Sequence, residues 1–485
     1  MRLDPLDGRG PVYRQLYRAL RHAILAGRVR PGSRLPSTRW LASESGVARN
    51  RVVLAYTQLL DEGYATGRVG SGTYVAEPLP TDERPAVSTG GSAAAVRRPR
   101  LSRAGRKLVA AGSRWIAVSG GLRYDFSCGR PSFRDFPGSV WARLVRRHAR
   151  PSSASDLDYA PAAGLPELRA AIAEHLTRWR GVTCGAEQVF VTSGTQQALG
   201  LAAGLLLEAG ERLGMEEPHY SGARQAFEAA RATLVPLRVD AQGLDVGRLA
   251  ATRRVRMAYV TPAHQFPTGA VMPLTRRLAL LAWARAARAH VIEDDYDSEY
   301  RYAGSPIESL HGLDGAGRVL YVGSFSKTLS PALRLGYLVV PPALVRGFTL
   351  AKMAADLGTP SFGQRVLADF IREGHLEVHL RRSRRRHAAR RAALLDALAE
   401  HLGERVDVRG GGAGLHVMVV VRGARAADVP GIVRRARERD VGVYSTLGCY
   451  LTRPRRAELL LGHGSLAEDD IGRGVVRLAA ALAAR

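Results

Sequence analysis

A chain of 485 residues with 46% hydrophobic side chains carries enough apolar material for two or three packed domains, which excludes a disordered protein. Lys and Arg number 71 against 44 Asp and Glu, a formal net charge of +27; this suits an anionic partner such as nucleic acid or an acidic surface without choosing between them. Only Lys107, Lys327 and Lys352 are lysines and every other basic residue is arginine, so a mechanism needing a titratable amine has three candidates, whereas arginine serves mainly as an anion clamp.

Cys128, Cys184 and Cys449 are far apart and form no C-x-x-C. They predict neither a disulfide framework nor a zinc site, as expected in a reducing cytoplasm. The start of the chain has no apolar leader core, and the longest apolar stretch, near 199–207, falls short of the roughly 20 residues a membrane helix needs. The expectation is a soluble, cytoplasmic protein with no membrane association and no metal.

In chain order, Leu16, Leu20, Ile24 and Leu25 recur at helical spacing between Pro11 and Gly27, where Gly27 and Pro31-Gly32 stop the helix. A second, short helix follows with Ser37 as its N-cap and Gly46 in the turn, and a third runs from about Ala48 to Glu62. Residues 64–76 read as a two-stranded ribbon around a Gly-rich tip. This is a helix-turn-helix with a wing. The second helix of such a pair enters the major groove, so Arg49, Asn50 and Arg51 in its first turn are candidates for base and phosphate contacts. Arg34, Ser37, Thr38 and Arg39 are candidates for phosphate at the preceding helix start, and Arg68, Gly70 and Ser71 for a wing beside the minor groove. The competing reading is a small packing module with solvated arginines; the agreement of several features favours DNA.

The run Leu35-Pro-Ser-Thr-Arg39, Gly46-Val-Ala-Arg-Asn-Arg-Val-Val53, Tyr56, Leu59, Glu62-Gly63 and Gly70-Ser-Gly-Thr-Tyr-Val75 resembles the winged helix-turn-helix of GntR-type bacterial regulators. The resemblance covers residues 8–77. Residues 78–121 shift to Pro, Ser, Gly, Ala and Arg with no sustained apolar period and read as a flexible basic linker.

From 122 to 485, short β-branched runs at 188–192, 256–261, 290–294 and 318–323 alternate with Ala/Leu/Arg helical patterns, which predicts a parallel α/β sheet. Lys327 follows the last of these strands, facing the crevice where such sheets bind ligands. Its amine suits a Schiff base with a cofactor aldehyde. The ordinary alternative is a surface lysine, but Lys107 falls in the linker and Lys352 in a helix without such a context. Asp294 and Tyr296, two residues apart at another strand end, share a face. Pyridoxal phosphate needs such a carboxylate at its pyridine nitrogen and a phenol at its ring oxygen; a metal reading of the same acidic run is weakened by the bulky Tyr296 and the absence of clustered histidines. Thr192-Ser-Gly-Thr-Gln-Gln-Ala198 opens an apolar helix directly after a strand, a turn that suits a phosphate dianion.

Tyr159–Arg169, Ser193–Gln197, Glu217–Tyr220, Thr261-Pro-Ala-His-Gln-Phe-Pro-Thr-Gly269, Glu293–Asp297 and Ser324–Gly336 together resemble a fold-type I aminotransferase. The resemblance implies an α/β pyridoxal phosphate-dependent domain with a smaller α+β C-terminal subdomain. It places the Schiff base on Lys327, the pyridine nitrogen on Asp294 and the ring hydroxyl on Tyr296. Gly194, Thr195, Gln196, Ser324, Ser326 and Arg334 would surround the phosphate, Tyr220 would stack on the ring, and Tyr159 would reach the phosphate of a partner subunit. Two departures stand out. Phe266 occupies the position of an asparagine that contacts the ring oxygen, leaving His264 or Gln265 as substitutes. The segment Ala457–Gly464 lacks the arginine that anchors a substrate carboxylate, with Arg453, Arg455 and Arg456 just before it as a shifted anchor.

A GntR-like winged helix, a basic linker and an aminotransferase-like domain in one chain resemble the MocR/GabR family of pyridoxal phosphate-dependent transcriptional regulators. The resemblance implies a homodimer, head to tail, that binds double-stranded operator DNA and senses an amine, an amino acid or a B6 vitamer. The competing expectation is an active aminotransferase with an accessory N-terminal domain.

Overall fold

The computed structural model describes Asp4, residues 6–79, 121–150, 153–302 and 307–483, with Gly304 and scattered positions of 100–109. The expected linker and Lys107 lie almost wholly outside the described residues. The chain divides into two compact units, up to residue 99 and from residue 100 onward.

In the first unit, helix α1 (Val12–Leu25) begins directly after Pro11, α2 spans Thr38–Ser45 and α3 Arg49–Asp61. Leu16, Leu20, Ala23 and Ile24 on one face of α1 are buried against Val52, Ala55, Tyr56 and Leu59 of α3. The Ser37 hydroxyl accepts from the Trp40 amide at 3.1 Å, capping α2. Gly46 ends that helix at φ +65°, a left-handed conformation that a side chain would strain. Tyr56 donates to the Pro36 carbonyl at 2.8 Å, fixing α3 against the entry to α2. The wing is the antiparallel pair β1 (Ala65–Arg68) and β2 (Gly72–Val75), and residues 33–35 extend it through Leu35 N–H to Thr73 and Val75 N–H to Ser33.

The second unit is built on an eight-stranded sheet in the order β4 (Val189–Thr192), β11 (Gly336–Val339), β10 (Val319–Ser324), β9 (His290–Asp295), β8 (Val255–Val260), β5 (Arg212–Glu217), β6 (Thr233–Asp240), β7 (Gly243–Leu244). Strands β10, β9, β8, β5 and β6 run parallel to one another. The expected parallel sheet is present in these strands, while β11 runs antiparallel to both β10 and β4 and the short β7 antiparallel to β6. The physical reason at β11 is connection length: the Lys327 segment returns from Ser324 to its register partner Gly336 too quickly to house a crossover helix. Near-continuous apolar strands such as β4, buried at every position, are what a sheet covered on both faces requires.

A smaller C-terminal layer follows, with an antiparallel sheet ordered β12 (Val406–Arg409), β13 (His416–Arg425), β16 (Arg456–Gly462), β15 (Tyr444–Ser445). Helices Val429–Arg437 and Glu468–Ala483 and the end of His375–His401 cover it around a core that includes Val419, Leu459, Leu461, Ile471 and Leu478. Strand β3 (Tyr124–Asp125) pairs in parallel with β14 (Val441–Gly442). The chain therefore joins the small subdomain before it enters the large sheet. Among the described residues, no helix is long and apolar enough to cross a membrane.

Candidate functional site

A cavity of about 420 Å³ opens at the carboxyl ends of β4, β5, β8, β9 and β10, the position at which open α/β sheets bind ligands. Its lining brings together Lys327, Asp294, Tyr296, Tyr220, Thr195, Gln196, Ser324, Ser326 and Arg334, residues spread over 140 positions of sequence. Gly194 lies directly behind this lining.

Period-two alternation sorts the acidic run at the end of β9. Asp294 and Tyr296 face the cavity. Asp295 turns to the opposite side, where Arg180 meets it at 2.6 Å and Tyr321 donates to it at 2.5 Å, and Glu293 accepts from the amides of Leu310 and His311. Asp294 Oδ2 accepts from the Tyr259 hydroxyl at 2.7 Å, while Oδ1 is buried without a hydrogen-bond partner among the described residues. Burial pushes the Asp294 carboxyl up to about 7, against the lowering effect of Tyr259. A cationic ring nitrogen at Oδ1 would satisfy the orphan acceptor and restore the carboxylate.

Lys327 lies three residues beyond β10. Gly129 passes so close that a Cβ there would lie 2.7 Å from the lysine Nζ. Burial lowers the Lys327 pKa below its ordinary value, partly offset by Asp297 and Asp294, which favours the neutral, nucleophilic amine.

At the third corner, the helix Thr195–Leu206 starts with Gly194 as N-cap at φ +96°. The first amides of a helix lack intrahelical partners and point toward an anion. Arg334, itself at φ +51°, donates to the Ser193 carbonyl at 2.5 Å and packs over Gly194, where a Cβ would come within 3.1 Å of its guanidinium. Ser324 Oγ accepts from the Ser326 amide at 3.1 Å. An amide-rich turn, two hydroxyls and an arginine form a fitting seat for a phosphate.

Other sequence-named residues fall elsewhere. His264 sits behind the wall, where its Nδ1 lies 3.1 Å from both carboxylate oxygens of Asp297 and 2.9 Å from the Tyr296 hydroxyl, which also donates to the His264 carbonyl at 2.9 Å. Its place is therefore at Tyr296, while Phe266 itself lines the cavity. Gln265 turns away to Glu216 and the Pro218 and Phe266 carbonyls. Tyr159 is 82% exposed and outside the lining. Arg453, Arg455 and Arg456 are exposed and none reaches the cavity. Lys352 is buried but committed to Asp356, with both carboxylate oxygens at 2.7 Å. Sequence reasoning missed Cys128, Gly129, Arg130, Phe133, Tyr259, Thr261 and His416 in the lining.

In the first unit, Arg34, Ser37, Arg39, Arg49, Asn50, Arg51, Arg68 and Gly70 are exposed, and Thr38 and Ser71 are half-buried. The Ser37 oxygen is engaged as the cap of α2. Arg34 belongs to the wing, not to the helix start: it bridges to Tyr74 and packs over Gly72. Arg68 lies 4.7 Å from the centre of the Tyr74 ring, a cation–π contact that holds its guanidinium on the wing.

A winged helix-turn-helix unit followed by a fold-type I aminotransferase domain defines the class. Residues 12–75 match the gntR family of bacterial regulatory proteins, and residues 133–456 match aminotransferase class I and II. The chain is 45% identical over 379 residues to the probable rhizopine catabolism regulatory protein MocR of Rhizobium meliloti, covering 78% of this chain and 75% of that protein. It is 33% identical over 486 residues to the uncharacterized HTH-type transcriptional regulator YdeL of Bacillus subtilis (strain 168), covering 97% and 96%. Among solved structures, it is similar to LysN, the α-aminoadipate aminotransferase of Thermus thermophilus, with a TM-score of 0.69 and 30% identity over 79% of this chain and 95% of that one. The chain belongs to the MocR family of helix-turn-helix transcriptional regulators, in which a GntR-type DNA-binding unit is fused to an aminotransferase-like domain.

Proposed function

We propose that this regulator holds pyridoxal 5'-phosphate through Lys327 and reads an amine, an amino acid or a B6 vitamer in the same cavity, changing how its winged helices engage double-stranded operator DNA. The observation that carries this reading is the buried, unpartnered Asp294 Oδ1 in one cavity with an amine whose pKa burial has lowered. Bound pyridoxal phosphate supplies an electrophilic aldehyde carbon and an electron-withdrawing ring. Lys327 would offer its amine to that carbon; Asp294, oriented by Tyr259, would hold the ring nitrogen; and the Gly194–Gln196 turn, with Ser324, Ser326 and Arg334, would hold the phosphate. Tyr296, whose hydroxyl is held by His264, would face the ring oxygen, and Tyr220 would cover the ring. Exposed Tyr159 completes the phosphate seat of a partner subunit in a head-to-tail homodimer.

Arg49, Asn50 and Arg51 meet base edges and phosphates, Arg39 with the start of α2 meets the backbone, and Arg34 acts with Arg68 from the wing. The protein thus works as a cytoplasmic homodimer on DNA. The test follows the absorbance of the purified protein and its binding to DNA upstream of its own gene during titration with amines, amino acids and B6 vitamers. A ligand that changes both signals together, without multiple turnover, supports the reading. Steady conversion of an amino acid with a keto acid would return the aminotransferase reading, which the likeness to LysN favours.

A further inference from the structure

At the end of the large sheet opposite the cavity, where β5 and β8 begin, lies a groove of about 1410 Å³. It is lined by residues 209–212 and 254–256 and by the helices Val246–Ala251 and Leu274–Ala286. Its floor is apolar and mostly small, with Ala209, Val246, Ala250, Ala282, Trp283 and Ala286. Ala282 and Ala286 continue a row at i+4 spacing that begins with Leu274 and Leu278. All four are exposed, the leucines by 57% and 49%. An apolar ridge about 18 Å long therefore faces solvent and runs into the groove.

The rim of the groove is basic. Arg212, Arg254 and Arg256 belong to the lining. Arg231 adjoins it, because its carbonyl accepts from the Gly210 amide at 2.9 Å, and Arg288 follows Ala287 of the lining. Glu211, the acid of the lining, meets Arg256 at 3.3 Å; among the described residues, Arg231, Arg254 and Arg288 have no acidic partner. Those three also share a backbone conformation, with φ of +62°, +59° and +50°, the left-handed region that suits glycine and strains a side chain. Among the described residues, four of the six non-glycine positions with positive φ are arginines, and the fourth arginine, Arg334, lines the ligand cavity. A turn that keeps a long cationic side chain where glycine would fit without strain points to use of the charge.

We propose that this groove docks an acidic amphipathic helix of another protein, which lays its apolar side chains on the Leu274–Ala286 ridge and its carboxylates against Arg231, Arg254 and Arg288. Duplex DNA would match the arginines but gain nothing from the apolar ridge and floor. The stretch 78–121 is itself basic, and a second copy carries a net charge of +27, so both are repelled by the rim. Lying at the opposite strand ends from Lys327, the groove is independent of what the cavity binds.

The test uses the full chain and the fluorescence anisotropy of a labelled peptide of about 18 residues, with leucines at i, i+3, i+4 and i+7 and glutamates elsewhere. A peptide of the same composition in scrambled order and a random DNA duplex are the comparisons. Equal charge cancels the general attraction of a basic chain for an anion, so the ordered peptide should bind at least about tenfold tighter than the scrambled one. Leu278→Glu should erase that ratio, and so should Arg254→Gly combined with Arg288→Gly. The glycine substitutions relieve strained turns, so the melting temperature should hold or rise while binding is lost, a combination that a purely structural role would not produce. Equal binding of the two peptides, or a ratio untouched by the variants, overturns the proposal. Loss of duplex binding in the arginine variant with the peptide ratio intact assigns the groove to DNA, and a changed sedimentation of the protein alone assigns it to a second copy; either result also overturns it.

Discussion

The Tyr259 hydroxyl donates to Asp294 Oδ2 at 2.7 Å, and the other carboxylate oxygen of Asp294 has no hydrogen-bond partner among the described residues. One side chain thus fixes the acid and leaves its remaining acceptor for a ligand. Burial raises the Asp294 carboxyl to about 7 from an ordinary value of 3.8, so between these values the folded, cofactor-free protein keeps a proton that the unfolded chain has released. Its contribution favours folding in acid and is lost as the pH rises through about 7. Asp294→Asn is neutral throughout. Without cofactor, the variant should melt at the wild-type temperature or lower near pH 5 and gain on wild type by up to about 1.4 kcal/mol per pH unit until about pH 7, where the difference levels off; with cofactor the order at pH 8 should reverse. Glu293 is also raised to about 7 but titrates in both proteins and cancels in the comparison, whereas Glu216 is raised in part by the charge of Asp294 and titrates lower in the variant. Melting curves at pH 5 to 8, with and without pyridoxal phosphate, provide the check.

Lys327→Ala should keep the fold and the phosphate seat but lose covalent retention. Borohydride reduction followed by intact-mass measurement should add the cofactor to the wild type and nothing to the variant. A reducible adduct persisting in Lys327→Ala would place the attachment elsewhere, with buried Lys352 the first residue to examine.

Gly129 stands at φ +67° with the Lys327 amine where a side chain would be. In Gly129→Ala the methyl group must displace the lysine or the backbone must shift, at a cost of about 1–3 kcal/mol. Cofactor uptake, followed by absorbance, should slow at least tenfold while the circular dichroism spectrum stays unchanged.

Arg49→Ala should weaken DNA binding roughly uniformly across sequences if the residue contacts phosphate, and reduce the slope of log affinity against log salt by about 1. The cofactor spectrum should be untouched, because Arg49 and the cavity belong to different units. Simultaneous loss of both signals would contradict the division of labour. Fluorescence anisotropy on a labelled operator at three salt concentrations separates these outcomes.

What the sequence disclosed and what it hid follow the range of the interactions. The winged helix was legible because its determinants are local: a cap at Ser37, a left-handed stop at Gly46 and a helical apolar stripe from Leu16 to Ile24. Asp294, Tyr296, Lys327 and the Thr195-Gln196 turn were legible for the same reason, since each sits at a strand end within a short run of distinctive residues. Tyr259 and His416 had no such signature. Each lies in an ordinary apolar strand, and its role appears only when distant segments meet at the cavity. Arg34 was assigned to a helix start by its neighbours in sequence, whereas its contacts are with Tyr74 and Gly72, some forty residues on. The direction of β11 was hidden because chain reversal is set by the three-dimensional return of the Lys327 segment, not by periodicity.

That reversal also brings two turns of the cavity together. A Cβ at Gly336, the first residue of β11, would fall 2.9 Å from the Cα of Gly194, so the strand leaving the lysine segment is pressed directly against the phosphate turn. The strand that follows Lys327 and the turn at Gly194 thus abut backbone to backbone. The opposite wall is assembled differently, from the segment after β3, from Phe266 and from His416 at the edge of the small subdomain. The cavity is thus bounded on one side by tightly abutting turns of the large sheet and on the other by segments that belong with the small subdomain.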